Sequence, residues 1–222
     1  MGLIINRKIA GDVQLGVWKI EESTDQLLEM LDLTTMEEKI YQSLRTEERK
    51  KQWLSYRVTI KKLLNLNKVL DINYDKKGKP KILNHYLHVS VTHSGEFSAA
   101  ILHKNMATGI DIEKLTGRIH KIKSKFLSDK ELQEIQQYHN DYTEALHVYW
   151  GAKEVIYKMQ SIGIISLREN IYIHPFNYED DKIVYGSLIY NSRNSKFELV
   201  HECIEDYILV YSMDSYRHFD SL

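Results

Sequence analysis

Apolar and polar residues change their rhythm several times along this chain, and each change marks a different element. Over 13–18, Val13, Leu15 and Val17 alternate with Gln14, Gly16 and Trp18, the two-residue period of a strand. Helical spacing follows around 24–31 and 35–44, then over 47–65. In the last of these, Trp53, Tyr56, Ile60, Leu63 and Leu64 recur every three or four residues, so one buried stripe is expected, with Arg57 beside it. The period shortens at Val69, Ile72 and Tyr74. It breaks at Asp75-Lys76-Lys77-Gly78-Lys79-Pro80, a polar turn whose proline holds Lys79 extended. Residues 88–92, 97–103 and 108–113 read as short strands, the first two joined by Ser94-Gly95-Glu96. Helical spacing returns over 118–138 and 142–160. Strand-like runs near 164–175, 182–191, 196–201 and 207–212 close the chain.

Strand, helices, strands, helices, strands is the order of an α+β fold built from two similar halves. The expected halves are 1–105 and 106–222, each an antiparallel sheet packed against helices. Self-similarity in the sequence is too weak to identify a repeat unaided. No Pro/Gly/Ser-rich linker separates the halves, which predicts a wide, stiff interface.

Composition narrows the class. The 222 residues are 43% hydrophobic and 10% aromatic, enough for a sizeable core and too apolar for intrinsic disorder. A single cysteine, Cys203, cannot form an internal disulfide and fits a reducing compartment; a buried, inert thiol is the expectation for it. The first twenty residues lack the pattern of a secretory signal, Asn6 stands where a myristoylation signal needs Ser or Thr, and no apolar run approaches the roughly 18 residues of a membrane span. A cytoplasmic protein without membrane or nucleic-acid partners is expected.

The net charge of −1 conceals local separation: Arg49, Lys50, Lys51, Arg57, Lys61 and Lys62 run without an acid, and Arg118, Lys121, Lys123 and Lys125 form a second basic stretch. Such segments attract phosphorylated ligands or acidic proteins, or are solvated helix faces.

Three segments carry chemistry. On a strand, Asp111 and Glu113 project from one side while Ile110 and Ile112 point into the core. Two acids so placed make sense around a hard cation such as Mg²⁺, or on an exposed strand face. On a helix, Trp150, Glu154 and Lys158 align at four-residue steps; they can form a surface ion pair, or Glu154 can supply a third metal oxygen while Lys153 and Lys158 meet phosphate. In His88-Val-Ser90-Val-Thr92-His93-Ser94, His93 and the hydroxyls can donate to a phosphate at a strand end. Ser128-Asp-Lys-Glu131 matches a helix-capping box. Zinc-ligand, nucleophile-elbow and phosphate-loop patterns are missing.

Taken in order, Gly78-Lys79-Pro80, Ser90-Val-Thr92-His93-Ser94, Gly109-Ile-Asp111-Ile-Glu113, Phe126-Leu-Ser128-Asp-Lys-Glu131 and Trp150-Gly-Ala-Lys153-Glu154-Val-Ile-Tyr-Lys158 resemble the motifs of the 4′-phosphopantetheinyl transferase superfamily. The length is similar to its larger, surfactin-synthetase-activating type. The resemblance implies an intramolecular pseudodimer with the active site between its halves, and a monomer.

It further implies that Asp111, Glu113 and Glu154 hold Mg²⁺. Arg49, Lys50, Arg57, Lys79, Thr92, His93, Lys153 and Lys158 would bind coenzyme A, the co-substrate. Glu154, Glu131 and Lys158 are the implied candidates for proton transfer and charge stabilisation. The implied reaction moves the 4′-phosphopantetheine arm to a serine of an apo acyl or peptidyl carrier protein and releases adenosine 3′,5′-bisphosphate. Departures from the pattern are Ser90 for the usual asparagine, Thr92 for serine, and Gly151 for serine or threonine, the last expected to loosen its helix. Another Mg²⁺-dependent phosphate reaction and a non-catalytic binding module are the competing readings.

Overall fold

Side-chain caps start several helices of this chain, and tight turns join several of its strands. The computed structural model describes residues 2–9, 12–67, 69–75, 78–83, 85–138, 142–160, 164–212 and 217–218; Lys76 and Lys77 of the expected turn lie outside them. The chain divides into two units, Met1–Met106 and Ala107–Leu222. The first contains β1 (Gly2–Ile9), β2 (Val13–Lys19), α1 (Thr24–Glu29), α2 (Thr35–Ser43), α3 (Glu47–Leu63), β3 (Ile72–Tyr74), β4 (Pro80–Ile82), β5 (His88–Ser94) and β6 (Phe97–His103). The second contains β7 (Ile110–Lys114), α4 (Ile119–Phe126), α5 (Asp129–Tyr138), α6 (Thr143–Met159), α7 (Leu167–Asn170), β8 (Ile171–Ile173), β9 (Ile183–Tyr190), β10 (Arg193–Ile204), β11 (Tyr207–Ser212) and β12 (Arg217–His218).

In the first unit an antiparallel sheet runs β1-β2-β6-β5, and the β3–β4 hairpin lies along β5. In the second, the order is β7-β11-β10-β9-β8, again antiparallel, with β12 against β10. Each sheet packs against one seventeen-residue helix, α3 or α6. Around α3 the core is Trp18, Trp53, Leu54, Val58, Ile60, Val89, Ala100 and Leu102. Around α6 it is Val148, Ala152, Val155, Ile156, Val184, Leu188, Ile208 and Val210.

Several elements depart from the sequence reading, each for a local reason. β1 shows no clean alternation but is held by pairing along β2, from Gly2 opposite Lys19 to Ile9 opposite Val13. The expected helix over 118–138 is two, because Ser128 caps a new start: Glu131 accepts its N–H and hydroxyl, and Ser128 Oγ accepts from Glu131 N. Pro80 begins a short strand opposite Tyr74 as well as closing a turn. Cys203, expected to be buried, is exposed near the β10–β11 turn.

The two units are similar in detail. Leaving out β1, α7 and β12, the strands and helices follow each other in the same order, and β2-β6-β5 corresponds to β7-β11-β10. A Cβ at Gly16 would fall 2.7 Å from Thr59 and 3.2 Å from Leu63, and one at Gly109 would fall 2.7 Å from the Val155 carbonyl and 3.0 Å from Met159. Thr59 and Val155 hold the same place in their helices, as do Leu63 and Met159. Each glycine thus lets a strand lie close beneath its helix, in matching register. Among the described residues, no helix is long and apolar enough to cross a membrane.

Candidate active site

Two residues beyond Gly109, β7 places Asp111, and two further on, Glu113. Asp111 pairs with Val210 and Glu113 with Ile208 across the β7–β11 ladder, so all four share the face covered by α6. Ile110 and Ile112 are fully buried on the opposite face, so the acids rather than the isoleucines lie under the helix. α6 answers with Trp150, Glu154 and Lys158, one turn apart. Lys158 Nζ donates to Asp111 Oδ1 at 2.7 Å and to the Ile110 carbonyl at 2.9 Å. Trp150 Nε1 donates to Glu113 Oε1 at 3.3 Å, its ring set edge-on against Phe126.

Glu154 stands between these contacts on the helix. Burial lifts its carboxyl above the ordinary range, the Asp111 charge adds to that, and Lys158 acts against it. Two carboxylates therefore meet in a partly desolvated place, with one ammonium beside them. The pair is not the surface Glu–Lys contact that the helix alone would allow.

Gly151 explains how α6 comes so near. A Cβ there would meet Val210 Cγ2 at 2.8 Å, with Asp111 Oδ2 3.6 Å away. The glycine fits the helix to β11, a close approach rather than the local loosening expected of it.

The sequence reading gathers Asp111, Glu113 and Glu154 around one metal. Among the described residues, no group of three acidic, histidine or cysteine side chains stands ready to hold an ion. Asp111 is instead engaged by Lys158, and Glu113 by Trp150. The donor chemistry still suits a hard cation, because the Glu154–Asp111 repulsion is the kind a divalent ion relieves.

Lys153 and Glu131 stand elsewhere than the motif implies. Both are fully buried, and Lys153 Nζ donates to Glu131 Oε2 at 2.8 Å, the Leu167 carbonyl at 2.9 Å and the Ile171 carbonyl at 2.5 Å. All three N–H directions of the ammonium are taken, leaving none for a diphosphate. Burial pulls the Lys153 ammonium below its ordinary range, and Glu131 opposes that shift.

In the first unit, Arg49 in the first turn of α3 meets the imidazole of His93 on β5. β5 extends through Ser94, so Val89, Val91 and His93 face one way and Ser90, Thr92 and Ser94 the other. His93 and Thr92, both expected at a phosphate, thus leave the strand on opposite sides. Lys50 pairs with Glu47 at 2.9 Å and lies over the Tyr41 ring. Lys79 is half-buried; desolvation lowers its affinity for a proton and Asp75 opposes this.

Arg57 does not face a ligand. It is 1% exposed, stacked 3.3 Å from the Trp53 ring centre, and donates to Glu37 at 3.3 Å and to the Tyr56 and Tyr74 hydroxyls at 2.5 and 3.2 Å. Its expected place at the nucleotide gives way to a core ion pair. Glu37 was not singled out in the sequence; it is the third residue after the N-cap Thr34 of α2. No local pattern marks it as a buried partner, because Arg57 lies twenty residues away.

Comparison with known proteins adds one match. The family model ACPS, the 4′-phosphopantetheinyl transferase superfamily, matches residues 107–211, a stretch that lies within the second unit. No curated protein matches the chain.

Proposed function

We propose, from the match of residues 107–211 to this transferase superfamily together with the buried acidic face of β7 and α6, that the protein moves the 4′-phosphopantetheine arm of coenzyme A to a serine of an apo carrier protein. The observation that carries the reading is the meeting of Asp111, Glu154 and Lys158 beneath α6, inside the matched stretch. Asp111, Glu113 and Glu154 would hold Mg²⁺, which when bound neutralises charge on phosphate oxygens.

The chain's own groups supply the rest. The carrier serine oxygen attacks the phosphorus that bears pantetheine, a P–O bond of the pyrophosphate breaks, and adenosine 3′,5′-bisphosphate leaves. Glu154 is the candidate acceptor for the serine proton, directly or through a water that it orients. Lys158 places a positive charge at the same spot and would steady the oxygens of the departing phosphate. Within the first unit, Arg49 beside His93 and the half-buried Lys79 are cations suited to a phosphate group.

Intact-protein mass spectrometry tests this directly. Incubated with coenzyme A, Mg²⁺ and a panel of apo carriers, the protein should add one phosphopantetheine arm to at least one carrier serine. Hydrolysis of coenzyme A with every carrier unmodified would replace this reading by another phosphate reaction. Coenzyme A binding with no turnover would replace it by a binding module.

A further inference from the structure

We infer that Glu131 and Lys153 are a positioning pair for α6, and that neither touches the reacting groups. The first unit supplies the internal control. Arg57 and Lys153 occupy the same place, ten residues after the first residue of α3 and of α6. Their acidic partners match too: Glu37 lies three residues after the N-cap Thr34, and Glu131 three after Ser128.

Each glutamate does three things at once. It closes its capping box, accepts the buried cation, and accepts the N–H of the strand that follows the long helix: Ile72 N to Glu37 at 3.3 Å, Ile173 N to Glu131 at 2.9 Å. All four side chains are at most 1% exposed. A short helix, the long helix and the next strand are thereby tied at one point in each unit.

The acids, in contrast, occur in one unit only. Where β7 has Asp111 and Glu113, two and four residues past its glycine, the first unit has Trp18 and Ile20 past Gly16. Where α6 has Glu154, α3 has Val58. The first unit keeps the ion pair without any of the acidic residues, so the pair's constant duty is to hold the helix. In the second unit the helix so held presents Glu154, the residue after Lys153, to Asp111.

The catalytic half of this inference rests on the transferase reading above, and the structural half stands without it. The test compares the full-length protein with Glu131→Gln, Lys153→Met and Lys153→Arg variants, by transfer kinetics and amide hydrogen exchange. Lys153→Met should lower kcat 10- to 1000-fold with KM for coenzyme A within a factor of three, and Lys153→Arg should recover kcat to within tenfold. Glu131→Gln should lower kcat yet leave the acid limb of the pH–rate profile where the wild type has it. A tenfold rise in KM in Lys153→Met would overturn the inference by giving Lys153 a ligand contact. Loss of the acid limb in Glu131→Gln would overturn it by making Glu131 the proton acceptor.

Should the wild type transfer nothing, the transferase reading fails, and exchange still decides the pair. Amides over 150–158 should exchange at least tenfold faster in Glu131→Gln than in the wild type; unchanged rates would remove the positioning role. If Lys153→Met does not fold, Lys153→Arg and Glu131→Gln carry the same comparison.

Discussion

Glu154 is kept at a cost in stability. Its folded-state proton affinity is raised by burial and by Asp111, so folding disfavours its charged form. The penalty is missing at low pH, where Glu154 is protonated in both states, and grows as pH rises through the folded pKa. Glu154→Gln should therefore raise the Tm in metal-free buffer near neutral pH, with the gain fading toward pH 4, while transfer falls at least 100-fold. A lower Tm for the variant at pH 7 would contradict this account. Gly151 makes a second prediction at this scale. Alanine there gains roughly 1 kcal/mol of helix propensity, but its Cβ would crowd Val210, and overpacking costs about 1–3 kcal/mol. Gly151→Ala should melt at lower urea, and Val210→Ala in the same chain should recover part of the loss. The sequence marked Glu154 as part of a motif and Gly151 as a departure from it; only the neighbour across the sheet says what each does.

At the scale of elements, histidine ties the start of α6 to the segment after β7. His147 Nδ1 donates to the Thr143 carbonyl at 2.8 Å, and its Nε2 accepts from Thr116 N at 3.3 Å, so the ring is held neutral. Burial keeps it below the ordinary histidine range, against the pull of the Thr143 carbonyl. A depressed pKa means that this contribution is present above the unfolded value, about 6.5, and is lost as pH falls through the folded one. The Tm should fall as pH drops from 7 to 5, and His147→Gln should start lower at pH 7 but show a flatter decline. Element type was largely readable from period, because α3 and α6 present stripes and β2, β7 and β10 alternate. Element ends were less so. Ser128 splits a helical run because its hydroxyl and N–H engage Glu131, a competition that hydrophobic period does not record.

For the whole molecule, the informative fact is that two units with little sequence likeness share one internal plan. Arg57 shows the consequence. As the first unit's version of the buried pair, it should act on folding alone. Arg57→Met leaves Glu37 charged and unpaired and should destabilise by about 3–5 kcal/mol in urea melts, with KM for coenzyme A unchanged and Arg57→Lys close to wild type. A folded Arg57→Met protein with a tenfold higher KM would restore Arg57 to the nucleotide. What the sequence determined by itself was the alternation of strands and helices, the two-half α+β plan, and the acidic strand and Glu–Lys helix whose spacing resembles a transferase motif. Those follow from local period and from short-range order, which a linear chain records. The tertiary structure alone decided that Asp111 and Glu113 lie beneath α6, that Lys158 answers Asp111, and that Arg57, Lys153 and Glu131 are core ion pairs rather than ligand contacts. Burial and charge pairing between residues twenty or more positions apart depend on which surfaces the packed sheet and helix close over, and no local pattern encodes that.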